Sequence, residues 1–176
     1  MNRHGHTLTF LCVLGGLLST ARAAIFTVDS TGDAVDVMPG DNVCDDGAGD
    51  CTLRAAIMES NAAVSADTIA FNISGTGPHT IQPASVLPGI TDPVVIDGYT
   101  QPGATANTNP VGLGLNTVLM IELDGSLAGT GTGIDGLKVY AGHSTVRGLV
   151  INHFDGNGIV IAINGDNLIE GNFIGA

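Results

Sequence analysis

Short apolar runs, separated by turns of Gly, Asn, Asp and Pro, make up most of the chain beyond residue 66. The runs are rich in Val, Ile and Leu, and β-branched side chains favour strands over helices. The predicted strands are 25–28, 68–71, 80–81, 93–96, 118–121, 137–140, 146–151, 158–161 and 168–169. Strands that are so short and so numerous predict an all-β fold.

One segment, residues 52–64, has a helical pattern instead. It is rich in Ala and lacks both Gly and Pro. Its apolar positions recur at the spacing of one helix face, with Thr52 or Cys51 as the N-cap. The predicted buried face consists of Leu53, Ala56, Ile57, Ser60 and Val64.

A repeat runs through the last third of the chain. The equivalent positions are Gly136/Gly158, Val139/Ile161, Gly142/Gly165, Val146/Ile169, Gly148/Gly171 and Ile151/Ile174, the first two pairs 22 residues apart and the others 23. A period of this length, with short strands and Gly- and Asn-rich turns, predicts a parallel β-helix whose coils stack their apolar side chains. The alternative, an antiparallel sandwich, needs no fixed period.

The N-terminal segment has the pattern of an export signal. Arg3 precedes the apolar run 8–18, and Ala21-Arg22-Ala23 follows it. An apolar run too short to span a bilayer, with a basic start and a small-residue site, predicts a signal peptide at 1–23, cleaved after Ala23. The alternative is an uncleaved anchor. We therefore expect a secreted or cell-surface protein.

The mature chain would be strongly acidic. Without Arg3 and Arg22, three basic residues remain against 17 acidic ones, which gives a formal charge of 3 − 17 = −14. This charge disfavours nucleic acid and anionic membranes as partners, because the Coulomb energy has the wrong sign. After signal cleavage we expect no membrane insertion.

Two cysteines of the mature chain, Cys44 and Cys51, lie seven positions apart. In an exported chain such a pair most simply forms a disulfide, which stabilises the fold by about 2–3 kcal/mol. The alternative is a pair of metal-binding thiolates, but the sequence places no His or further Cys nearby to complete such a site.

An acidic loop precedes the helix, and its four aspartates are Asp41, Asp45, Asp46 and Asp50. Hard oxygen ligands at this density could hold Ca²⁺, although the spacing is not that of an EF-hand. The alternative is a solvated acidic loop. We expect no cofactor other than this calcium ion.

Asp97, Asp124 and Asp135 each end an apolar run and precede a glycine. They could be carboxylates aligned on successive coils, as in β-helix polysaccharide lyases and glycosidases, with Lys138 and Arg147 as the only basic residues of the coils. Alternatively, each Asp caps a turn and the glycine supplies a positive φ. The turn interpretation is favoured, and none of the five is assigned as catalytic.

Polar residues crowd the last two coils. His143 and His153 are candidate general bases, but we interpret them as turn or surface residues. We expect the asparagines to satisfy the backbone groups of the turns, since stacked amide side chains do this well. They are Asn152, Asn157, Asn164, Asn167 and Asn172.

The run 51–57 resembles the motif that names the CSLREA domain, with Thr52 in place of Ser and Ala55 in place of Glu. Segments 26–33, 40–44 and 59–62 also resemble that family. The segments similar to right-handed parallel β-helix proteins that carry this domain are 96–103, 121–125, 147–152 and 169–175.

This resemblance implies an exported bacterial protein, often large and multidomain, in which an N-terminal cap covers a right-handed parallel β-helix. It implies no established activity. We expect the cap at 24–66 and the coils at 67–176, truncated at the C-terminus. The helix, pinned by Cys44 and Cys51, would cover the open strand edges of the first coil.

Three functions are consistent with these patterns. The favoured one is a non-catalytic exported module, structural or binding an extracellular carbohydrate or other envelope polymer. The second is a polysaccharide lyase or glycoside hydrolase of the parallel β-helix type. The third is the cap and folding nucleus of a larger multidomain surface protein, with the remainder of the solenoid as its partner.

Overall fold

The computed structural model describes residues 22–175. The predicted signal peptide falls almost entirely on residues 1–21, which lie outside the described residues. Within the described range, the structure contains no helix with the length and apolar character needed to cross a bilayer.

The described chain consists mainly of short strands and contains one α-helix, α1 (Leu53–Ala62). The strands are β1 (Ile25–Val28), β2 (Asp67–Phe71), β3 (His79–Ile81), β4 (Val94–Asp97), β5 (Ile121–Asp124), β6 (Leu137–Val139), β7 (Thr145–Arg147), β8 (Leu149–Asn152), β9 (Ile159–Ile161), β10 (Leu168–Glu170) and β11 (Phe173–Ile174). Their predominance agrees with the predicted all-β class.

The strands form three sheets, and the paired strands within each sheet are parallel. Sheet A has the order β1-β2-β4-β7-β10, sheet B the order β11-β8-β5-β3, and sheet C pairs β6 with β9. From β4 onwards the chain passes through sheets A, B and C in that order, and then begins again at β7 and at β10. Each complete passage, which we call a round, adds one strand to each sheet, and the passage that begins at β10 adds β10 to sheet A and β11 to sheet B.

The register confirms the sequence repeat at individual positions. Three predicted equivalences are direct strand partners: Val139 with Ile161, Val146 with Ile169, and Ile151 with Ile174. Hydrogen bonds between rounds join residues 22 positions apart at Asp135 and Asn157, and 23 positions apart at Ser144 and Asn167 and at Leu149 and Asn172. A residue therefore stacks on its repeat equivalent.

Earlier rounds are longer, because a loop leaves the stack. For example, Val94 in β4 donates a hydrogen bond to Ser144, just before β7, and these two residues are 50 positions apart in the sequence. Much of the extra length lies in the loop after β4, which folds back on itself through an antiparallel bridge between Thr105 and Val118. The predicted strand 118–121 is consequently displaced, since Val118 belongs to this bridge and β5 begins at Ile121.

The core lies between the sheets, where alternate side chains of each strand point inward. Phe26, Ile69, Ile96 and Val146 are successive register partners across sheet A, and each is 3% exposed or less. Burying each such side chain stabilises the fold by about 1.5–3 kcal/mol. A narrow stack of this kind is filled by aliphatic rows, which accounts for the low aromatic content.

Helix α1 packs on β1 and β2 at one end of sheet A. It begins as predicted, with the Thr52 hydroxyl accepting a hydrogen bond from Ala55 N at 3.0 Å. The end was predicted wrongly: the backbone is already extended at Ala63, and Val64 is 81% exposed instead of buried. The other four residues of the predicted helix face are buried.

The acidic loop is fastened to α1. The Cys44–Cys51 disulfide is present, with the two Cα atoms 5.1 Å apart, so the pairing prediction is confirmed. Arg54 forms an ion pair with Asp33 at 2.9 Å. Glu59 is fully buried and accepts hydrogen bonds from the backbone of the loop. The loop and the helix therefore form one unit.

Candidate functional site

The three aspartates singled out in the sequence lie in different sheets. Asp97 is the last residue of β4 in sheet A, and Asp124 is the last residue of β5 in sheet B. Asp135 lies just before β6 in sheet C. The structure therefore does not bring them together in one groove, and each has partners of its own.

Asp97 and Asp124 each cap a short 3₁₀ turn. The carboxylate of Asp97 accepts a hydrogen bond from Tyr99 N at 3.0 Å, and that of Asp124 accepts one from Ser126 N at 2.8 Å. The turn interpretation of these two residues is therefore confirmed.

The predicted reason for the glycines that follow was wrong. Gly98, Gly125 and Gly136 are absent from the described residues with positive φ. A Cβ atom at Gly98 would overlap the backbone carbonyl of Gly148 in the next round. Close approach between strands, not backbone conformation, excludes a side chain at this position.

Arg147 links three neighbouring strands of sheet A. Its register partners are Asp97 on β4 and Glu170 on β10. The guanidinium Nη2 lies 2.6 Å from Asp97 Oδ2, and Nη1 lies 3.9 Å from Glu170 Oε1. The hydrogen bond that Arg147 donates to Asp97 raises the pKa of Arg147, against the opposing effect of partial burial. Two sequence candidates, Asp97 and Arg147, thus meet as an ion pair.

A cleft of about 240 Å³ opens beside this ion pair, where the loop after β4 returns towards sheet A. We call it the Arg147 cleft; it is lined by Tyr99, Ala106, Asn107, Arg147, Glu170 and Gly171. The Tyr99 hydroxyl donates a hydrogen bond to Gly171 O at 2.9 Å, which joins two residues of the cleft lining. An aromatic ring, a guanidinium, an amide and a carboxylate therefore surround one small space.

A second polar group lies on the outer face of sheet B. Glu122 and Asp124 alternate with buried residues on β5, so both project to the same side. Thr80 and Asn152 donate to the two oxygens of Glu122, at 2.7 and 2.8 Å. His153 Nδ1 lies 3.3 Å from Asp124 Oδ1. Glu122 was not predicted as a candidate from the sequence. The alternation of apolar and polar residues in 121–124 nevertheless places Glu122 on the same side of the strand as Asp124.

The environment of Asp124 favours its ionised form. Burial pushes the pKa of this carboxyl upward, but hydrogen bonds from Ser126 and Gln82, together with His153, outweigh burial. The net effect is a pKa below the usual range. Asp124 is consequently a carboxylate at neutral pH, which suits an acceptor or a base and not a proton donor.

Asp135 and Lys138 form a structural pair. Their charged atoms lie 3.4 Å apart, and Lys138 Nζ also donates to Gly133 O at 2.8 Å. Asp135 accepts hydrogen bonds from both nitrogens of Asn157 in the next round, at 2.7 and 3.0 Å. The backbone hydrogen bond from Asn157 is the largest effect that lowers the pKa of Asp135. Asp135 is therefore occupied in joining two rounds, and Lys138 is held by contacts within its own round.

The four loop aspartates do not converge. Asp41, Asp45 and Asp46 accept hydrogen bonds from backbone N–H groups two to four residues ahead. In the part of the chain that the structure describes, no group of three or more His, Cys, Asp or Glu side chains is placed to hold a metal ion. The arrangement of this loop, including Asp50, is that of turns capped by their own side chains.

His143 lies in a separate cleft of about 350 Å³ at the turn after sheet C. Its Nε2 is 4.0 Å from Asp166 Oδ2, and both side chains are more than three-quarters exposed. Surface exposure agrees with the interpretation of His143 as a turn residue.

Three of the five predicted asparagines hydrogen-bond backbone groups through their side chains: Asn164 donates to Tyr140 O, Asn167 accepts from Ser144 N, and Asn172 accepts from Leu149 N and donates to Val146 O. The prediction was wrong for Asn152 and Asn157, whose amide groups donate to the carboxylates of Glu122 and Asp135.

Comparison with known proteins gives no match: the chain matches no family model, no curated protein and no solved structure.

Proposed function

We propose that the chain is an exported right-handed parallel β-helix module of the CSLREA-domain type, with a cap at 24–66 followed by coils. The repeated passage through sheets A, B and C, one strand at a time, supports the solenoid. The position of α1 against β1 and β2 supports the cap, because it covers sheet edges that would otherwise be open.

The module binds a carbohydrate polymer without cleaving it, and the observation that carries this proposal is the Arg147 cleft. Saccharides present hydroxyl groups that both donate and accept, together with apolar ring faces. A cleft with a tyrosine, an amide, a guanidinium and a carboxylate offers partners for both. These groups lie on the outer side of a parallel sheet, where a long polymer has access.

The preferred ligand is an uncharged polysaccharide. The predicted mature chain has a formal charge of −14, which repels polyanions. The positive charge of Arg147 is already balanced by Asp97 and Glu170. An acidic polymer would find no free cation in this cleft, whereas hydroxyl groups need none.

The same contacts support binding over uronate elimination. A polysaccharide lyase needs a base that can accept a proton from the carbon next to a carboxylate. Lys138 is held by Asp135 and Gly133, and Arg147 has a pKa raised further by Asp97. Neither of the two basic residues of the coils is free for this role.

Binding is tested with the exported, oxidised protein on an array of neutral and uronate-containing polysaccharides, followed by titration calorimetry. Ala106→Trp fills the cleft and Glu170→Ala removes one of its acceptors, so each should weaken binding by about tenfold or more. Ala48→Trp, at an exposed position outside the cleft, is the matched control. Failure to bind any neutral polymer, or equal affinity of all variants, would contradict the proposal.

A second candidate function, glycoside hydrolysis, is favoured by one specific observation. Glu122 and Asp124 project from one face of β5 with their Cα atoms about 7 Å apart along the strand, so two carboxyl groups lie side by side, as the paired carboxylates of a glycosidase do. Asp124, with its lowered pKa, would be the base, and Glu122 would be the second carboxyl group of the pair. Release of reducing ends that Glu122→Gln abolishes and Glu170→Gln leaves intact would favour this function.

The third function, a cap for a longer solenoid, is supported by the exposed apolar side chains at one end of the stack. Ile161, Leu168 and Ile174, on the final strands of the three sheets, are 46–49% exposed. Their repeat positions in the preceding round are covered by these same strands. A further coil of the same kind would cover these three strands and bury the inward-facing Ile161 and Ile174.

A further inference from the structure

A buried carboxylate at the start of β2 lacks one of its partners. Asp67 is 0% exposed. Its Oδ1 accepts hydrogen bonds from Ala24 N and from the Ser65 hydroxyl, both at 2.8 Å. Its Oδ2 is buried as well and has no hydrogen-bond partner among residues 22–175. Burying such an oxygen costs free energy of folding, because it loses its hydrogen bonds to water and gains none from the protein.

A second carboxylate near Asp67 also has an oxygen without a hydrogen-bond partner among the described residues. Asp92 Oδ2 is also buried without a partner in the described part of the chain. Burial and the neighbouring charge of Asp67 both raise the pKa of Asp92, against a hydrogen bond from the Ser65 backbone. Two acids therefore share one corner of the molecule, and no described lysine, arginine or histidine forms an ion pair with either.

Ala24 is held in place independently of the residues before it. Its carbonyl accepts a hydrogen bond from Thr68 N at 2.9 Å, and its side chain packs against the core. Ala23, in contrast, is exposed. The contacts that hold the backbone nitrogen of Ala24 2.8 Å from Asp67 thus come from Ala24 itself, and the residue before it is exposed.

We infer that Asp67 and Asp92 form a binding site for the α-ammonium group that peptide cleavage between Ala23 and Ala24 creates. Hydrolysis of this amide consumes one water and leaves a carboxylate on Ala23 and an amine on Ala24, which takes up a proton at neutral pH. The inference rests on the proposed export, since a signal peptidase makes the cut.

The ammonium supplies what the precursor lacks. An amide nitrogen has one N–H, and that of Ala24 is already donated to Asp67 Oδ1. The ammonium has three N–H groups, so two become available for the unpaired oxygens, and its positive charge offsets two buried negative ones. Removal of the signal peptide thus locks β1 onto β2 in the mature protein.

The test uses the full-length precursor, produced in a bacterial host and recovered after export. Intact mass spectrometry should show an N-terminus at Ala24. A variant with one serine inserted between Ala23 and Ala24 keeps the charge but moves it outward by about 3.5 Å. Its unfolding equilibrium constant in urea should be about tenfold larger than that of the wild type.

The coupling to Asp67 identifies the site. In the Asp67→Asn background the same insertion should change the unfolding constant by less than about threefold, whereas in the Asp166→Asn background, at an exposed position, it should keep its full effect. An insertion effect that is absent, or that is the same in all three backgrounds, overturns the inference.

A second readout does not require the Asp67 variant to fold. The facing acids should raise the pKa of the Ala24 α-ammonium above the usual value of about 7.7–8.0. This stabilisation is present at neutral pH and is lost as the pH rises through the raised pKa. The pH dependence of α-amine acetylation measures it, and a pKa equal to that of the insertion variant would overturn the inference.

The outcomes separate this inference from the proposed function. Export with cleavage at another bond overturns the inference alone, and absence of export overturns both. Cleavage at Ala24 without polysaccharide binding leaves the inference intact and overturns only the proposed binding.

Discussion

At the residue scale, glycine is used in two different ways in this stack. Gly148 separates β7 from β8 with a φ of 75°, so it divides the predicted strand 146–151 in two. Gly98 and Gly136, in contrast, lie where a carbonyl of the next round leaves no space for a Cβ atom. The first use depends on backbone conformation, and the second on the small distance between strands of successive rounds.

Gly98→Ala should therefore destabilise the protein by about 1–3 kcal/mol, the usual cost of overpacking. Gly165→Ala is the matched control, because nothing lies within 4 Å of its Cβ position and its φ is not positive. Urea unfolding of the two variants measures the difference. Equal midpoints would show that close approach of Gly148 does not limit the residue at position 98.

The buried Glu59 predicts a pH dependence of stability. Burial raises the pKa of its carboxyl in the folded state, outweighing hydrogen bonds from Gly40 and Asn42. The favourable contribution of Glu59 is therefore largest below its unfolded pKa of about 4.3 and decreases as the pH rises through the folded value. Urea unfolding between about pH 4 and 7 should show a smaller loss of stability for Glu59→Gln than for the wild type.

Asp166→Asn serves as the control for Glu59, since its carboxyl is 82% exposed. Its pH profile should follow that of the wild type. A profile for Glu59→Gln that also follows the wild type would contradict the raised pKa.

At the scale of elements, helix α1 is held by specific tertiary contacts and not by its own stability alone. A helix of ten residues is marginal by itself in water. Asn61 attaches its C-terminal turn to the segment before β4, through hydrogen bonds to Gly89 O and from Thr91 N at 2.8 and 2.7 Å. Arg54 attaches the first turn to Asp33 and to the carbonyl of Ser85.

Reduction of the Cys44–Cys51 disulfide should cost about 2–3 kcal/mol, because it removes the closure of a short loop from the unfolded chain. Urea unfolding with and without a thiol reductant measures the effect. The double variant Cys44→Ser with Cys51→Ser should have the stability of the reduced wild type under both conditions and should not respond to the reductant. Equal stability of the oxidised and reduced wild type would contradict this prediction.

The strands could be predicted from the sequence where the repeat is regular, and their pairing could not be predicted where a loop interrupts it. Strands β6 to β10 follow from residues 22 or 23 positions apart, and Arg147 could have been paired with Glu170 on that basis. Asp97 could not have been paired with Arg147, because the loop after β4 places 50 positions between them. The Arg147 cleft therefore depends on a strand register that the sequence period does not contain.

The aspartates of the acidic loop could be singled out from the sequence, but their role in capping turns could not be predicted. Asp41 and Asp45 each accept hydrogen bonds from nearby backbone groups. This local bonding competes with metal binding, and sequence spacing does not distinguish the two. The site at Asp67 was missed for a different reason: its partner, Ala24, lies 43 positions away.

At the scale of the whole molecule, the two ends of the stack differ. One end is covered by α1, and at the other the edge strands β9, β10 and β11 carry exposed apolar side chains. Edge strands of this kind pair readily with other chains. The protein should therefore associate with itself through this end when no further coil covers it.

Phe173→Lys should reduce this self-association, because an edge lysine disfavours strand pairing between molecules. Phe173 is 42% exposed on β11. Sedimentation velocity over a range of concentrations measures the association. Val111→Lys, at a fully exposed loop position, introduces the same charge as a control. A wild type that stays monomeric at every concentration would contradict the prediction.

The loop after β4 has a practical consequence. It interrupts the passage from sheet A to sheet B without changing the register of the strands on either side, so chain length at this point is uncoupled from the stack. Its tip, at Gly112 and Gly114, has nothing within 4 Å of either Cβ position. The tip is thus a natural place to graft a foreign peptide or a fluorescent reporter, held outside a scaffold that does not need to accommodate it.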